Sequence, residues 1–321
     1  MGGHHEAEPL NPVQQRVLDE LLAVTRPRPP GDRTVAARCR AQLLERTEEA
    51  AALVPAGDRG LYLSKGRLDA LGCDGRYLDQ QAHPFSYSPA VLRGTLAHTG
   101  IEVDTAGART RTPQEVLEQA WRRLATDDRA ARHVAGLPPA EADALRADAL
   151  RTVMEFRDQF PPLPSAWHPR TEPALRTRLH GGRIVVLGRP DLMIGRPTLD
   201  RRRLLIIDLK TGARHPQRHR ADVALYALLA TIKYGVAPFR VATYYLDEGD
   251  WDAQDVDDAM LDATVADVAA KVVRAAWLTH ADPPERSLQL LPGPACGWCD
   301  RAGSCPALVA AEQRPTGVRA A

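Results

Sequence analysis

Apolar positions in the first half of the chain recur at helical spacing. The pattern predicts helices over residues 12–25 and 35–53, with a break at 26–31 between them. It also predicts a helical insertion over residues 113–160, which a proline-rich run at 161–164 ends. This half of the chain is therefore expected to consist mainly of helices.

Between residues 172 and 247 the pattern changes to short apolar runs, which predict the strands of a sheet. One run spans residues 183–188, and a second spans 204–207 and leads into Asp208. Because only a polar loop at 197–203 stands before the second run, we expect the two runs to pair as a hairpin.

Helices and strands continue to alternate towards the C-terminus. A helical segment at 220–229 precedes a strand at 240–246, and a last helix is expected at 256–278. Helices that alternate with buried strands predict an α/β fold with a mixed central sheet flanked by helices.

Charge and composition limit the classes of partner. Forty-two Lys and Arg residues face forty-one Asp and Glu residues, so the net charge is +1 and no global positive field is expected. Basic patches at 201–203 and 214–220 are the local candidates for holding phosphates, with a solvated loop as the alternative for the first. No apolar run reaches the roughly 20 residues that cross a bilayer. The first six residues lack a signal-peptide pattern, so a soluble, cytoplasmic protein is expected.

Two carboxylates and a lysine stand in an arrangement that suits phosphodiester hydrolysis. Pro190-Asp191 is followed, after sixteen residues, by Asp208-Leu209-Lys210. Asp191 and Asp208 offer the oxygen ligands that Mg²⁺ or Mn²⁺ prefers, and such an ion neutralises charge on the phosphate. Residues two apart on a strand share a face, so Asp208 and Lys210 should project together while the Leu209 carbonyl stays available as a further metal ligand. Lys210 would then hold or polarise the attacking water.

Lysine is scarce in this chain, which makes the lysine of the D-x-K motif more informative. Only four of the forty-two basic residues are lysines, at positions 65, 210, 233 and 271. Lys and Arg are not equivalent beside a metal site, so a lysine in the D-x-K position is less expected by chance. The D-x-K pattern alone is weak, and the alternative is that a buried strand merely ends in Asp208 and Lys210.

Cysteines form a second chemical pattern. Cys296, Cys299 and Cys305 stand as C-x2-C-x5-C in a Gly- and Pro-rich stretch, a loop type that lets thiolates converge on one inorganic centre. Three thiolates need a fourth ligand. An iron-sulfur cluster and a structural zinc ion both accept four thiolates, whereas disulfides are disfavoured in the reducing cytosol. Cys39, on a predicted surface helix, is expected to take no part.

Two further motifs accompany D-x-K. Gly94 and His98 form G-x-x-x-H in a helical segment, and Asp222 and Tyr226 lie one turn apart on the helix after D-x-K. With these motifs the chain resembles the RecB-like branch of the PD-(D/E)XK nuclease superfamily. The resemblance covers residues 61–306 and implies a restriction-endonuclease-like α/β core.

The resemblance also implies roles for individual residues. It makes His98 a metal ligand together with Asp191 and Asp208, and it completes the catalytic set with Lys210 and Tyr226.

Two second-tier positions follow from the same resemblance. Glu172 stands where the family often has an acidic residue ahead of the first core strand. Asp222 replaces the Gln of the family's Q-x-x-x-Y motif and carries a charge in place of an amide. That departure puts the substrate-contact role of the helix in doubt.

Cys73 ends a Ser-containing segment, 61–73, that is similar to the opening helix of the iron-sulfur subset of this family. That subset includes AddB-type helicase-nuclease subunits and CRISPR-adaptation nucleases. The resemblance implies that Cys73, Cys296, Cys299 and Cys305 hold a [4Fe-4S] cluster, which fixes the C-terminal segment onto the helix of Cys73. A structural Zn²⁺ ion stays the alternative.

Taken together, the resemblance implies a Mg²⁺- or Mn²⁺-dependent deoxyribonuclease. The expected activity is that of an exonuclease on single-stranded DNA or DNA ends in repair, recombination or defence, with a helicase or other repair or defence proteins as candidate partners. The alternatives are a weak or inactive nuclease-fold DNA-binding subunit of a repair complex, and a zinc-stapled interaction module. The expected domains are a helical extension at 1–60, the nuclease domain at 61–306 and a flexible tail at 307–321.

Overall fold

A computed structural model describes residues 9–55, 60–83 and 87–312 of the chain. The predictions for the first six residues, and for residues 313–321 of the tail, lie outside these described residues. The first part of the predicted tail belongs to a helix that ends at Glu312.

Helices make up most of the described residues. In chain order they are α1 (Pro12–Arg16), α2 (Arg33–Arg46), α3 (Glu48–Leu53), α4 (Lys65–Ala70), α5 (Asp74–Ala82), α6 (Pro89–Ala106), α7 (Pro113–Leu124), α8 (Asp128–Ala135), α9 (Pro139–Gln159), α10 (Pro216–Tyr234), α11 (Asp258–His280) and α12 (Pro306–Glu312). A π-helical turn, Val17–Leu21, continues α1. The predicted insertion at 113–160 is thus confirmed as α7, α8 and α9.

The strands form two sheets. In chain order they are β1 (Leu61–Ser64), β2 (Arg170–Thr171), β3 (Leu175–Leu179), β4 (Ile184–Gly188), β5 (Leu192–Ile194), β6 (Leu205–Lys210), β7 (Arg240–Tyr245) and β8 (Asp250–Asp255). A three-stranded sheet has the order β1-β4-β3, and a five-stranded sheet has the order β2-β5-β6-β7-β8. Mixed sheets flanked by helices confirm the predicted α/β class and are consistent with a restriction-endonuclease-like fold.

The chain divides into two compact units that interleave along the sequence. The first comprises Met1–Ala37, Ser86–Leu175 and Arg189–Leu261, and it holds the five-stranded sheet. The second comprises Arg38–Phe85, Arg176–Gly188 and Asp262–Ala321, and it holds the three-stranded sheet except for the first residue of β3. The domain boundaries at residues 60 and 306 stay a prediction.

In the first unit, β6 separates the apolar core from a polar face. Its residue Ile207 is buried in a cluster with Phe156 and Phe160 from the end of α9. Because side chains alternate along a strand, Asp208 and Lys210 project to the opposite face. Helix α10 contacts the strand and supplies the groups that meet Lys210 on this face.

Helix α6 is held in place at its start and along its length. The side chain of Ser88 accepts a hydrogen bond from the Val91 N–H at 3.3 Å, and Pro89 occupies the first turn, so the helix is capped as its sequence favours. Leu92 and Leu96 of α6 are fully buried in a second apolar cluster formed with α7, α8 and α9. The helix therefore presents its remaining side chains from a fixed position.

The prediction that residues 183–188 and 204–207 pair as a hairpin was wrong. Strand β4 pairs with β1 and β3, whereas β6 pairs in parallel with β7 and in antiparallel with β5, a three-residue strand that follows Asp191 directly. Gly195 ends β5 with φ 103°, and a Cβ there would lie 2.3 Å from the Arg203 carbonyl oxygen. Only glycine permits this turn, and the reversal so close to Asp191 makes β5 too short to stand out as an apolar run.

Four other features of the structure differ from the expectations. Residues 61–64 form β1 instead of a helix, and Cys39 is buried instead of lying at the surface. Strand β8 was not predicted, because four of its six residues are polar and the strand is only partly buried at the edge of the sheet. Thr47 separates α2 from α3, and its buried hydroxyl donates to the Leu43 carbonyl at 2.6 Å.

None of the helices in the described part of the chain is both long and apolar enough to cross a membrane.

Candidate active site

The pairing of β5 with β6 brings the two predicted carboxylates together. Asp191 immediately precedes β5, and Asp208 lies on β6 one residue after Ile207, which is opposite Leu192. The Leu209 N–H donates to Oδ2 of Asp191 at 2.6 Å. In an antiparallel pair the N–H and C=O of one residue face the same neighbouring strand, so the Leu209 carbonyl lies on the edge that faces Asp191.

His98 reaches this pair from α6. Its Nδ1 lies 3.0 Å from Oδ1 of Asp191. One turn earlier, a Cβ on Gly94 would lie 3.2 Å from Oγ1 of Thr211, the residue after β6. The absence of a side chain at Gly94 therefore lets α6 approach the end of β6. This close approach is a physical reason for the glycine of G-x-x-x-H.

Lys210 lies between two carboxylates. Its Nζ forms an ion pair with Asp208 and lies 3.5 Å from Oδ2 of Asp222 on α10. The side chain of Asp208 is 4% exposed, whereas that of Lys210 is 20% exposed. The ammonium group is thus held on the buried acidic face with part of its surface open to solvent.

The electrostatic surroundings shift the pKa values of the basic groups upwards. Burial acts to lower the pKa of His98, but the carboxylates of Asp191 and Asp208 outweigh it and raise the pKa. Burial likewise opposes the shift at Lys210, where Asp208 and Asp222 raise the pKa above its ordinary value. The ammonium of Lys210 therefore stays protonated at neutral pH.

The acidic partner responds in the opposite direction. Burial acts to raise the pKa of Asp191, but the charge and hydrogen bond of His98 and the N–H of Leu209 lower it. Asp191 is therefore ionised at neutral pH and available to a cation.

Helix α10 presents three functional groups on one face. Asp222 and Tyr226 lie one turn apart, as predicted, and His219 precedes them on the same side. Tyr226 is buried, and burial together with the carboxylates of Asp208 and Asp191 raises the pKa of its hydroxyl, which stays neutral. Only Asp222 and Tyr226 were predicted from the sequence. In the sequence, His219 stands within a run of basic residues, and nothing there indicates that it is buried.

Glu172 lies near this constellation but contributes mainly through its backbone. Its N–H donates to the Asp191 carbonyl at 3.0 Å, and its φ is 45°. Its carboxylate accepts from Arg189 at 3.2 Å. Glu172 therefore helps to hold the segment of Asp191, while its own charge is directed to an arginine.

The basic patch at 214–220 is largely neutralised. Arg214 pairs with Glu248 at 2.6 Å and Asp250 at 2.8 Å, and Arg220 pairs with Asp252 at 2.6 Å. Asp250 and Asp252 belong to strand β8, which was not predicted, so these ion pairs were not foreseen. That the patch holds phosphates stays a prediction.

The donor set suits a hard divalent cation. Asp191, Asp208, His98 and the Leu209 carbonyl provide three oxygen donors and one imidazole nitrogen. Adjacent ligands of an octahedral ion at about 2.1 Å lie about 3.0 Å apart. The distance from His98 Nδ1 to Asp191 Oδ1 is compatible with this separation, and the chemistry of the donor set fits Mg²⁺ or Mn²⁺.

The four predicted cluster cysteines meet in the second unit. Cys73, Cys296, Cys299 and Cys305 line one small cavity, and none of them forms a disulfide. The Leu291 N–H points to Cys73 Sγ at 3.5 Å, and the Gly293 N–H points to Cys296 Sγ at 3.3 Å. Backbone N–H groups directed at sulfur stabilise thiolates, so the cavity could hold an inorganic centre.

A further group of ligand types, absent from the sequence-based predictions, lies in the same unit. Ligand atoms of Asp79, His83 and Asp300 lie within 4.8 Å of one another. The side chains of His83 and Asp300 are mostly exposed. Nδ1 of His83 lies 3.0 Å from one carboxylate oxygen of Asp79, so that oxygen already has a partner. The spacing of Asp79 and His83 by one helical turn was the available signal, but exposed groups of this kind are common without an ion.

Comparison with known proteins identifies a family. The family model described as the PD-(D/E)XK nuclease superfamily matches residues 70–306. No curated protein matches the chain. A solved structure titled "Crystal structure of SSO0001" is 14% identical and covers 83% of this chain and 95% of its own, with a TM-score of 0.32. That likeness is too weak to support an argument about function.

Proposed function

Because the chain belongs to the PD-(D/E)XK nuclease superfamily, whose members are typically metal-dependent nucleases, we propose that it is a metal-dependent deoxyribonuclease. The substrate that we propose is single-stranded DNA or the ends of DNA. The observation that carries the proposal is the convergence of four side chains beside β6, the central strand of the five-stranded sheet: His98 comes from α6, Asp191 directly precedes β5, and Asp208 and Lys210 belong to β6.

Asp191, Asp208, His98 and the Leu209 carbonyl would hold Mg²⁺ or Mn²⁺. When bound, such an ion neutralises charge on the phosphate and activates water. The protein prepares this site by fixing one oxygen of Asp191 through the Leu209 N–H, which leaves the other oxygen beside His98. A ligand set held in this way needs little reorganisation when substrate arrives.

Lys210 orients the attacking water or stabilises the phosphate. Hydrolysis forms a bond between the water oxygen and phosphorus and breaks the bond between phosphorus and a sugar oxygen. Because its ammonium is kept protonated by Asp208 and Asp222, Lys210 can donate a hydrogen bond but does not accept the proton that the water releases. That proton passes to solvent, and the sugar oxygen that leaves phosphorus takes up a proton from solvent, so the reaction adds one water across the P–O bond.

The other proposed site residues act around this centre. Asp222 positions Lys210, and the neutral hydroxyl of Tyr226 offers a donor next to the carboxylates. Glu172 supports the backbone of Asp191.

We further propose that Cys73, Cys296, Cys299 and Cys305 hold a [4Fe-4S] cluster, as in the AddB-type subset. Their shared cavity, the absence of disulfides among them and the N–H groups aimed at two sulfurs support this proposal. Structural Zn²⁺ would satisfy the same ligands, and metal and acid-labile sulfide analysis of anaerobically purified protein separates the two. A nuclease with such a cluster fits a role in DNA repair or defence, with a helicase among its candidate partners.

The test of the nuclease activity is cleavage of end-labelled oligonucleotides by anaerobically purified protein. Single-stranded DNA, duplex DNA and RNA of one sequence are each incubated with Mg²⁺ or Mn²⁺. We expect cleavage of DNA that disappears with chelator and in Asp208→Ala and Lys210→Ala. Asp267→Ala and Lys271→Ala remove an equivalent pair from the surface of α11 and serve as matched controls that keep full activity.

Failure of a folded wild-type protein to cleave any of the three substrates would contradict the proposal. A protein that then binds DNA without cleaving it would be a nuclease-fold binding subunit. Preference for RNA would replace the substrate class while leaving the catalytic site in place.

A further inference from the structure

The solvent-facing side of the three-stranded sheet carries a distinctive set of side chains. On β3, exposed Arg176 and Arg178 alternate with the buried residues of the strand. On β1, Tyr62 is exposed between the buried residues Leu61 and Leu63. The alternation has period two, so these polar and aromatic groups stand on one face while the apolar groups face the interior of the unit.

Basic side chains are concentrated on this face. Arg176, Arg178, Arg183 and His180 line a groove of about 500 Å³, and none of the eight residues that line it is acidic. Within the part of the chain that the structure describes, the guanidinium groups of Arg176 and Arg178 meet no carboxylate at ion-pair distance. Arg214 and Arg220, by contrast, pair with carboxylates.

Other exposed arginines, such as Arg122 and Arg129, also have no carboxylate at ion-pair distance among the described residues. What sets Arg176 and Arg178 apart is that they lie on one strand, in a groove that Arg183 and His180 also line. Two such guanidinium groups on one strand, about 7 Å apart along it, can contact successive phosphates of one nucleic-acid strand.

Tyr62 adds an aromatic surface to the same groove. Its side chain is 40% exposed, although aromatic residues make up only 5% of the chain. A Cβ on Gly60 would lie 3.5 Å from Cε2 of Tyr62, so the ring rests over a glycine that leaves it room. An exposed ring flanked by arginines is the arrangement on which an unpaired base stacks.

We propose that this face, defined by Tyr62, Arg176 and Arg178, binds a single-stranded segment of the DNA substrate. The two arginines contact phosphates, and Tyr62 stacks on a base. A base in a duplex is already stacked and does not present its ring to Tyr62, which favours a single strand over a duplex. The inference rests on the proposed function for its choice of DNA, and it adds a binding surface formed by residues outside the catalytic motifs.

The experiment measures binding separately from cleavage. Fluorescence anisotropy of a labelled oligothymidine is recorded in EDTA with every variant built on Asp208→Ala, so no hydrolysis occurs. We expect Arg176→Ala/Arg178→Ala to weaken binding about tenfold and to lower the slope of log K against log salt by about 1.4, because each lost single-strand phosphate contact removes about 0.7. Arg122→Ala/Arg129→Ala removes two exposed arginines from α7 and α8 and is expected to leave both quantities unchanged.

Tyr62 is tested by a pair of substitutions. We expect Tyr62→Ala to weaken binding about tenfold, since loss of one stacked base has an effect of this order, whereas Tyr62→Phe keeps the ring and the affinity. Circular dichroism and thermal unfolding check that each variant is folded.

Unchanged affinity and salt slope in the double arginine variant would overturn the proposal. Equal losses for Tyr62→Ala and Tyr62→Phe would remove the stacking role, and an equal effect on a duplex of the same length would show that the face recognises a duplex backbone. If the wild-type site fails to cleave DNA but the face variants lose binding, the nuclease proposal fails and this inference stands. If the wild type cleaves DNA and the face variants bind normally, only this inference fails.

Discussion

At the scale of single residues, the charge of the candidate active site depends on how the ammonium group of Lys210 is shared between Asp208 and Asp222. Its ammonium group contacts Asp208 and Asp222 together. A cation that binds Asp208 must compete with this ammonium, and Asp222 weakens the competition by drawing Lys210 partly towards α10. An acidic residue at this position therefore has a physical role that an amide fills less well.

This sharing predicts the effect of Asp222→Asn. Lys210 should pair more strongly with Asp208, and the site should lose one negative charge, so both effects weaken divalent-ion binding. We expect the dissociation constant for Mn²⁺, measured by calorimetry or electron paramagnetic resonance, to rise about threefold to tenfold. Asp148→Asn removes a carboxylate from an exposed i,i+3 pair with Arg151 and should leave it unchanged. Tighter Mn²⁺ binding by Asp222→Asn would contradict the sharing.

His219 makes a second residue-scale prediction, which concerns pH. Burial, followed by the charge of Lys210, lowers the pKa of His219 to about 4. The unfolded chain, with an ordinary pKa near 6.5, binds this proton first, so the stabilisation is complete above pH 6.5 and is lost as the pH falls towards 4. We expect roughly 1 to 3 kcal/mol of unfolding free energy to depend on this group.

The measurement is urea unfolding in EDTA at pH 7.5, 6 and 5. The control is His219→Phe, which fills the same space without titrating, although it gives up the contact between Nδ1 and the Tyr245 hydroxyl at 3.2 Å. Its stability should decline less between pH 7.5 and 5 than that of the wild type. Parallel declines would show that other groups cause the loss.

At the scale of elements, the geometry of the candidate active site depends on how closely α6 approaches β6. The approach is set by Gly94 against Thr211. We expect Gly94→Val to push the helix away, to separate His98 from Asp191 and to weaken Mn²⁺ binding about tenfold, while circular dichroism shows an intact fold. Gly66→Val is the matched control, because a side chain at this helical glycine meets nothing within 4 Å.

A double variant makes the element-scale test specific. Thr211→Ala removes the hydroxyl that a Cβ at position 94 would meet, so Gly94→Val/Thr211→Ala should recover part of the lost metal affinity. No recovery, together with normal folding, would indicate that the glycine serves another purpose.

The elements also show what could be predicted from the sequence. The strand of Asp208 and the helices of His98 and Tyr226 were found because long periodic runs surround chemically constrained motifs. The antiparallel partner of β6 was not found, since β5 has three residues and its identity depends on a glycine turn. Strand β8 was missed because only Trp251 and Ala253 of its six residues are apolar, and the pairing of Arg214 with Asp250 was missed with it.

At the scale of the whole molecule, chain segments far apart in sequence are held together by the cysteine cavity. Cys73 and the three late cysteines belong to the same unit but are more than two hundred residues apart. If they hold a cluster, its loss releases a long loop in the folded unit, and the effect should be one of stability.

We therefore expect Cys73→Ser to lose iron and acid-labile sulfide and to lower the midpoint of thermal unfolding by about 10 °C. Cys39→Ala, at a buried cysteine outside the cavity, is the control and should keep both iron and sulfide. A Cys73→Ser protein that keeps its full iron content would exclude Cys73 as a ligand. Zinc without sulfide in the wild type would replace the cluster by a zinc site.

The scarcity of lysine gives the molecule an internal chemical reporter. Amine-acylating reagents react with neutral amines, and the two carboxylates around Lys210 keep its amine protonated. Lys210 should therefore be among the slowest of the four lysines to acquire a label, and its labelling should respond to whatever disturbs those carboxylates. Because trypsin cuts this arginine-rich chain at many other places, mass spectrometry can follow Lys210 on its own peptide. Covalent footprinting can therefore report whether the candidate metal site is occupied, even where no DNA is cleaved.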